Sequence, residues 1–397
     1  MGKRFEQIDA VISLASNSPG TPTGYGQQAM YLVERMVQSG IRVAAMSNFG
    51  LEGRMDTIKV KGGKVPHYPR GLTIYSDDIL PGHHARHRIG HEDKPHAIMT
   101  LYDSWVYQNP QLDALPIISW VPLDHVTLPP MVHKFLVKEN VTPVSMAPHG
   151  QRQLDAAGVA NTYIPHGVDT KVYKPTELFD DTPVREFMGV KDEFVIGMFA
   201  ANKASKQIHR KAYAENLLAV GLFMAKYPNT RLYIHAEPSQ AYGGFHLPNL
   251  LNACSIPEEK VIFPDPLDLR HGYTQKQMAA LYSGIDVLLA PSYGEGFGVP
   301  TVEAQAAGSR AIVSNWAASQ DLVGEDSWKV EGHAFWDEGQ KAWFKIPDVG
   351  AIYKALEQAQ DAPRGPSEKS IEFASQFDVD KVWEESWIPF LKNYFGQ

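Results

Sequence analysis

Two carboxylates flank a glycine-rich turn in the segment LLAPSYGEGFGVPTVEAQAAGSRAIVSN (288–315). Glu295 lies in the turn with Gly294, Gly296 and Gly298. Glu303 lies near the first full turn of a helix that Pro300 opens and Gly308 closes. Glycines here let the chain turn tightly and let a ligand approach the main chain. Amides exposed at a helix start, helped by the aligned peptide dipoles, receive phosphate oxygens. Carboxylates set beside them accept from vicinal hydroxyls, as on a sugar or a ribose. A diphosphate placed directly against those carboxylates would be repelled, so neutral and basic donors must hold that middle portion. Spacing alone fits a plainer arrangement equally well, with Glu303 capping local amides and Glu295 a solvated turn residue.

Taken together, Glu295, Gly296, Phe297, Gly298, Pro300, Glu303, Ala304, Ala306 and Gly308 follow the tripeptide PSY (291–293). This combination resembles the signature of the large retaining nucleotide-sugar glycosyltransferase family with the GT-B fold, often called family 4 glycosyltransferases. Two further segments resemble the same family. TYIPHGVDTKVYKP (162–175) is similar to the segment that closes the first domain, which places the His166 turn near the interdomain cleft. By chemistry alone His166 fits a satisfied structural histidine, and Asp169 a turn or cap residue. SPGTPTGYGQQAMYL (18–32) carries Gly24 and Gly26 before a helix, without the full glycine spacing of a dinucleotide fingerprint. The resemblance implies that Gly24 and Gly26 approach the donor phosphates or the transferred sugar; an ordinary flexible turn is the alternative.

The family places an Arg near the end of a strand and a Lys at the following helix start. Here Asn202 stands in the Arg region, able to donate hydrogen bonds, and Arg210-Lys211 resemble the basic pair. Lys211 is the expected diphosphate ligand, with Arg210, Lys203 and Lys206 as alternatives and a solvated cationic surface as the bland reading. IISWVPLDHVTLPP (117–130) is similar to the region carrying a histidine close to the transferred sugar. His125 is the nearest candidate, with Asp124 beside it. It could donate to a sugar hydroxyl or organise a carbonyl without acting as a base, or it could form a cap with Asp124. By the resemblance, Glu295 and His125 are the catalytic candidates, and Gly296, Phe297, Gly298 and Glu303 bind the donor. Asp103, Trp105 and Tyr107 follow another strand and either shape an acceptor pocket or, for the aromatic pair, pack in the core.

The elements that must position these groups alternate between strand and helix. Apolar runs at 8–16, 41–49, 96–102, 116–122 and 141–147 read as buried strands, and Tyr25 to Gln38 carries apolar residues at helical spacing before Gly40. The histidine-rich stretch from Gly82 to His91 shows no period and reads as surface loop. A Pro-bearing stretch from Asp169 to Val190 has linker character. The alternation then restarts at 193–200, with a helix over Lys211 to Lys226, strands at 230–236 and 260–264, a helix over Gln275 to Ser283, and strands at 285–291 and 310–315. Such repeated units predict an α/β chain with two mainly parallel sheets. The GT-B resemblance makes these two Rossmann-like domains facing across a cleft. The expected division is 1–170 for the acceptor-side domain, 171–190 for the linker, 191–375 for the donor-nucleotide domain, and 376–397 for a terminal helix crossing back. That helix is aromatic, from Phe377 through Trp383 and Trp387 to Phe395, and Pro389 kinks or divides it.

At 397 residues the chain suits two cores, and a formal charge of −8 argues against a general nucleic-acid binder. One cysteine, Cys254, excludes an internal disulfide framework and a cysteine-rich metal site. No apolar run reaches spanning length, so integral membrane association is not expected, and a cytoplasmic setting with peripheral attachment left open follows. The function expected is retaining transfer of a sugar, a hexose, from a nucleotide-diphosphate donor such as a UDP- or GDP-hexose. The acceptor is unassigned, self-association is left open, and no metal or cofactor is required. The alternatives are a nucleotide-sugar epimerase and a non-catalytic nucleotide-sugar or carbohydrate-binding protein.

Overall fold

The computed structural model describes residues 5–204 and 208–397, the side chain of Ser104 aside. Lys206, one of the basic alternatives, lies outside the described residues.

Strands that are apolar along their whole length need cover on both faces. In β1 (Val11–Asn17) every residue from Val11 to Ser16 is buried. β2 (Arg42–Phe49), β5 (His96–Leu101), β6 (Ile117–Val121) and β7 (Val141–Ser145) follow suit. With β3 (Asp56–Val60), β4 (Gly63–Tyr68) and β8 (Thr162–Tyr163) they form an eight-stranded sheet in the order β3-β4-β2-β1-β5-β6-β7-β8. All its pairings are parallel except the β3–β4 ribbon at the edge. That ribbon escaped the sequence reading because its strands are largely exposed and carry Lys and Gly rather than an apolar run.

After a linker holding the short pair β9 (Leu178–Phe179) and β10 (Thr182–Pro183), a second sheet begins. It comprises β11 (Phe194–Phe199), β12 (Thr230–His235), β13 (Val261–Ile262), β14 (Val287–Leu289), β15 (Arg310–Ser314) and β16 (Trp328–Val330). Its order is β13-β12-β11-β14-β15-β16, and it is parallel throughout. The chain is therefore α/β with two Rossmann-like sheets, and in both the loops after the strands converge on the same cleft. A hairpin of β17 (Gly332–Asp337) and β18 (Ala342–Pro347), absent from the sequence reading, extends from the second sheet's last strand. Backbone hydrogen bonds between Val126 and Trp343, 3.0 Å and 2.5 Å, tie it to the first domain.

The chain end returns to the first domain. A π-helical turn (Trp383–Trp387) leads without a break into the helix Ile388–Phe395, and Pro389, which brings no N–H to that continuous helical run, follows directly on the widened turn. Trp383 donates to Ser39 Oγ at 3.0 Å, Arg35 pairs with Asp380 at 2.6 Å, and Trp387 lies edge-on to Trp120.

The histidine-rich stretch corrects the surface-loop expectation. It forms the helix Leu80–Arg88, and His84 and His87 face inward. Polar partners make this tolerable: His84 Nδ1 meets Ser13 Oγ at 2.8 Å and its Nε2 meets His96 Nδ1 at 3.0 Å, while His87 Nε2 bonds the Arg42 carbonyl. Burial, with His96, Arg88 and His87 adding, pushes His84 down to about 3; burial likewise takes His87 to about 4. Free histidine titrates near 6.5, so below that pH the unfolded chain takes up protons that these rings refuse. Stability should be intact above about pH 6.5 and fall toward pH 4, by about 1.4 kcal/mol per pH unit for each ring. Thermal melts from pH 7.5 to 4.5 should show the midpoint dropping below pH 6.5; a midpoint level to pH 4.5 would contradict this.

Candidate active site

Ligands of open parallel sheets collect beyond the carboxyl ends of the strands. In the first domain β1 ends at Asn17 and leads into the loop before the helix Gly24–Gln38, β5 leads to Asp103, and β6 leads to Asp124 and His125. In the second domain the loop after β11 supplies Arg210 and Lys211, and the loop after β14 supplies Glu295. The structure brings these groups together. Lys211 Nζ lies 2.6 Å from Glu295 Oε1, and Arg210 Nη1 lies 3.0 Å from Glu295 Oε2. Arg210 also donates to the Gly294 carbonyl and lies 3.5 Å from Asp124 Oδ2, linking the two domains. Asp124 Oδ1 is 2.7 Å from His125 Nδ1, and on the other side of that ring Asp337 Oδ2 of the hairpin is 3.2 Å from Nε2. Phe344 of the same hairpin stacks on the imidazole with centroids 3.7 Å apart.

Electrostatics follow from this chain of alternating charges. Burial works against the carboxylate of Asp124, yet the His125 hydrogen bond and Arg210 outweigh it and hold Asp124 at about 2. Burial also opposes charge on His125, and its two carboxylate partners raise it above the ordinary histidine value. Carboxylates on both ring nitrogens favour the protonated ring and leave neither nitrogen free to serve as a base. Burial disfavours the ionised form of Glu295, and Arg210 and Lys211 override that to keep it below the usual range.

Close approach explains the glycines. A Cβ on Gly294 would sit 2.1 Å from the Asp124 carbonyl, and one on Gly296 2.5 Å from Pro122 Cβ, so this turn is wedged against the first domain. Gly298, at φ +107°, starts the helix Val299–Ala306, and no side chain caps it. Pro300 brings no N–H and the Thr301 amide bonds the Gly298 carbonyl at 3.0 Å, so the Val299 amide is what this helix start offers an anion. In the first domain Gly26 is required because a Cβ would meet Thr21 Oγ1 at 2.0 Å, and Thr23 Oγ1 accepts from its amide at 3.0 Å. Gly24 is in open space, exposed at the start of that helix.

Several candidates sit elsewhere than expected. Asn202 presents no donor to the cleft: its amide is committed to the Glu237 carbonyl and to both backbone groups of Phe245, so it anchors that loop. Phe297 is buried, edge-on to His166 and Phe377, and serves the core rather than a ligand. His166 packs on Trp120 with its Nδ1 unpartnered, pushed down to about 3 by burial, which is a core histidine. Trp105 leans on the first domain's aromatic cluster and Tyr107 is buried in it. Lys203 is exposed. Glu303 is buried, and its oxygens accept from Gln27 Nε2 at 3.0 Å and from Tyr282 OH at 3.1 Å, with Tyr173 also bonded to it. Burial raises its carboxyl above the usual range. Sequence reasoning passed over Asp337, Phe344, Gln27 and Tyr282. Only the exposure pattern of a hairpin and of helix faces could have signalled them, since none belongs to a motif.

Among the described residues no group of three or more His, Cys, Asp or Glu could hold a metal ion, and no helix is long and apolar enough to cross a membrane. Cys254 is a buried free thiol.

Comparison with known proteins agrees with this fold. Residues 225–342 match the family model described as glycosyl transferases group 1. A curated relative, the MMP alpha-(1->4)-mannosyltransferase of Mycolicibacterium hassiacum, is 26% identical over 206 residues, 51% of this chain and 40% of that protein. The match thus spans less than half the relative's length. Among solved structures, a sucrose-phosphate synthase from Thermosynechococcus elongatus superposes with a TM-score of 0.72 at 17% identity, covering 98% of this chain and 100% of that one. HepE of Anabaena in complex with UDP-glucose gives a TM-score of 0.69 at 14% identity, covering 97% and 100%. The whole chain therefore has the GT-B fold, and these matches together support a GT-B glycosyltransferase.

Proposed function

We propose that this chain, a GT-B-fold protein with a glycosyl transferases group 1 segment in its second domain, moves a hexose from a nucleotide-diphosphate donor to a hydroxyl acceptor with retained anomeric configuration. The observation that carries this reading is the convergence of Arg210 and Lys211 on Glu295, immediately before an uncapped helix start. Two cations and the Val299 amide are donors of the kind a diphosphate needs, and they stand beside carboxylates that a sugar's hydroxyls can approach.

In this reading the diphosphate takes over the attention of Lys211 and Arg210, freeing Glu295 to accept from hydroxyls of the transferred sugar. Both ring nitrogens of His125 are given to Asp124 and Asp337, so that ring positions Asp124, and through it Arg210, rather than touching the sugar. Gln27 belongs to the first domain and Glu303 to the second, so the arriving nucleotide displaces Gln27 and offers its ribose hydroxyls to Glu303. As the bond from the anomeric carbon to the donor phosphate breaks, negative charge grows on the leaving group. Lys211 and Arg210 meet that charge more strongly than they meet the ground state, which is the condition for catalysis. Same-face displacement, with the leaving phosphate taking the acceptor's proton, needs no protein nucleophile. The HepE complex, by its title, contains UDP-glucose, which makes UDP-glucose a first donor to try.

The test is a panel of UDP-, GDP- and ADP-sugars read by nucleotide release, followed by proton NMR of the earliest product. At least one donor should be hydrolysed slowly in the absence of acceptor, and the first-formed sugar should keep the donor's anomeric configuration. Binding of none of them would remove the reading, and inversion would remove the mechanism.

A further inference from the structure

We infer that Asn216 is a positioning residue for the transfer step, clamping the backbone that carries Lys211 to the segment that leads into Glu295. The inference rests on the glycosyltransferase reading above and adds to it a residue that touches neither donor nor acceptor.

The two segments belong to different strand–helix units. Arg210 and Lys211 precede the helix Tyr213–Lys226, whereas Glu295 follows β14. Side-chain ion pairs join them, and in the proposed reaction those are the bonds that the diphosphate exchanges for its own. Whatever keeps the segments in register through that exchange must be something the donor does not touch.

Asn216 meets that requirement. It lies one turn into the helix and is 1% exposed. Its Nδ2 group carries two hydrogens and has two acceptors, the Pro291 carbonyl at 3.0 Å and the Lys211 carbonyl at 3.3 Å. One side chain thus grips the main chain of both segments. A flipped amide would set its oxygen against both carbonyls, so its orientation is determined.

Two local costs fall at this corner. Asn216 Oδ1 is buried without a partner among the described residues, and an unpaired buried acceptor is unfavourable. Ala212, between Lys211 and the helix, sits at φ +50° and ψ +38°, fully buried and without a side-chain cap. That is the left-handed region, which alanine enters only against steric resistance. A helix start shaped for stability alone would carry glycine there. Both costs fit a corner shaped to aim Lys211.

The clamp can be removed without parting the segments. The Tyr293 amide donates to the Arg210 carbonyl at 2.8 Å, and the Tyr293 hydroxyl donates to Glu215 Oε1 at 2.8 Å. Helix and turn therefore stay joined when Asn216 is truncated. What is lost is the hold on Lys211 itself, and small misplacement of a group that meets developing charge is expensive in rate.

A double-mutant cycle tests this with the intact protein and the nucleotide sugar that the donor panel selects, read as donor hydrolysis. Asn216→Ala should lower kcat about 10- to 100-fold, shift the donor KM by less than about threefold, and keep a cooperative melt. In a Lys211→Ala background the same substitution should cost less than about threefold, because the group it positions is gone. Asn216→Ser keeps one hydroxyl donor for the two carbonyls, so its kcat should fall between those of wild type and Asn216→Ala. The serine variant carries the same cycle if the alanine variant does not fold. Equal losses in both backgrounds, or a kcat that neither substitution changes, overturn the assignment, since a merely structural residue adds its cost independently of Lys211. Absence of donor turnover by the wild-type protein would instead sink the glycosyltransferase reading itself, so the two failures are distinguishable.

Discussion

Lys211→Ala should lower kcat/KM for the nucleotide sugar by about 100- to 1000-fold while leaving the protein folded. That is the usual cost of deleting one preorganised donor aimed at charge that develops in the transition state. The fold should survive because Glu295 keeps its second partner, Arg210, at 3.0 Å, so no buried carboxylate is stranded. Most of the loss should appear in kcat, since the leaving diphosphate gains charge as the bond breaks. Steady-state kinetics with a thermal melt would check it; activity within about threefold of wild type would mean that another cation holds the diphosphate.

Glu303→Ala should have a double effect. Its carboxylate is the acceptor for Gln27, Tyr173 and Tyr282, so truncation leaves buried donors unpaired at a cost of about 1–3 kcal/mol. In the proposed function the same change removes the ribose acceptor, and donor affinity should fall about 10- to 100-fold, the worth of a hydrogen bond to a charged group. Glu303→Gln separates the two effects. It retains an oxygen for Tyr282 and most of the stability, yet binds donor less tightly than wild type. Calorimetric titration of both variants, beside their melting curves, decides the matter: wild-type donor affinity in a folded Glu303→Ala protein would leave this residue a purely structural one.

The parts of the fold that were legible in the sequence share one property, continuous apolar strands joined by amphipathic helices. Val11 to Ser16 and the run from Phe194 to Phe199 have no polar face to hide, so burial on both sides was the one arrangement available. The β3–β4 ribbon and the β17–β18 hairpin are half exposed and alternate weakly, and both went unread. The histidines of Leu80–Arg88 misled because an imidazole counts as polar by composition, while His84 is buried on the strength of two side-chain partners distant in sequence.

Site residues divide along the same line. Gly296, Gly298 and Glu295 follow from a local constraint, a tight turn before a helix start, and Arg210 and Lys211 from their resemblance to the family's basic pair; the structure brings them together. Asn202 and Phe297 occupy motif positions too, but their directions depend on the 237–245 loop and on Phe377, contacts that no local pattern encodes. Asp337 is the clearest case. It is 212 residues from His125 and belongs to no motif, yet it supplies one of the two carboxylates on that ring.

The strand-like pairing of Val126 with Trp343 gives the hairpin a second role. It fastens Asp337 and Phe344 to His125 from across the cleft, so any hinge motion that peels the hairpin from the first domain strips the imidazolium of a counter-ion and of its stacking partner. Opening also admits water to the ring, and burial is the largest influence opposing its charge, so the loss of Asp337 and the gain of hydration pull its basicity in opposite directions. Asp124 stays with the ring on the first domain throughout, so the histidine keeps its orientation while the hairpin's release removes its hold on the second domain.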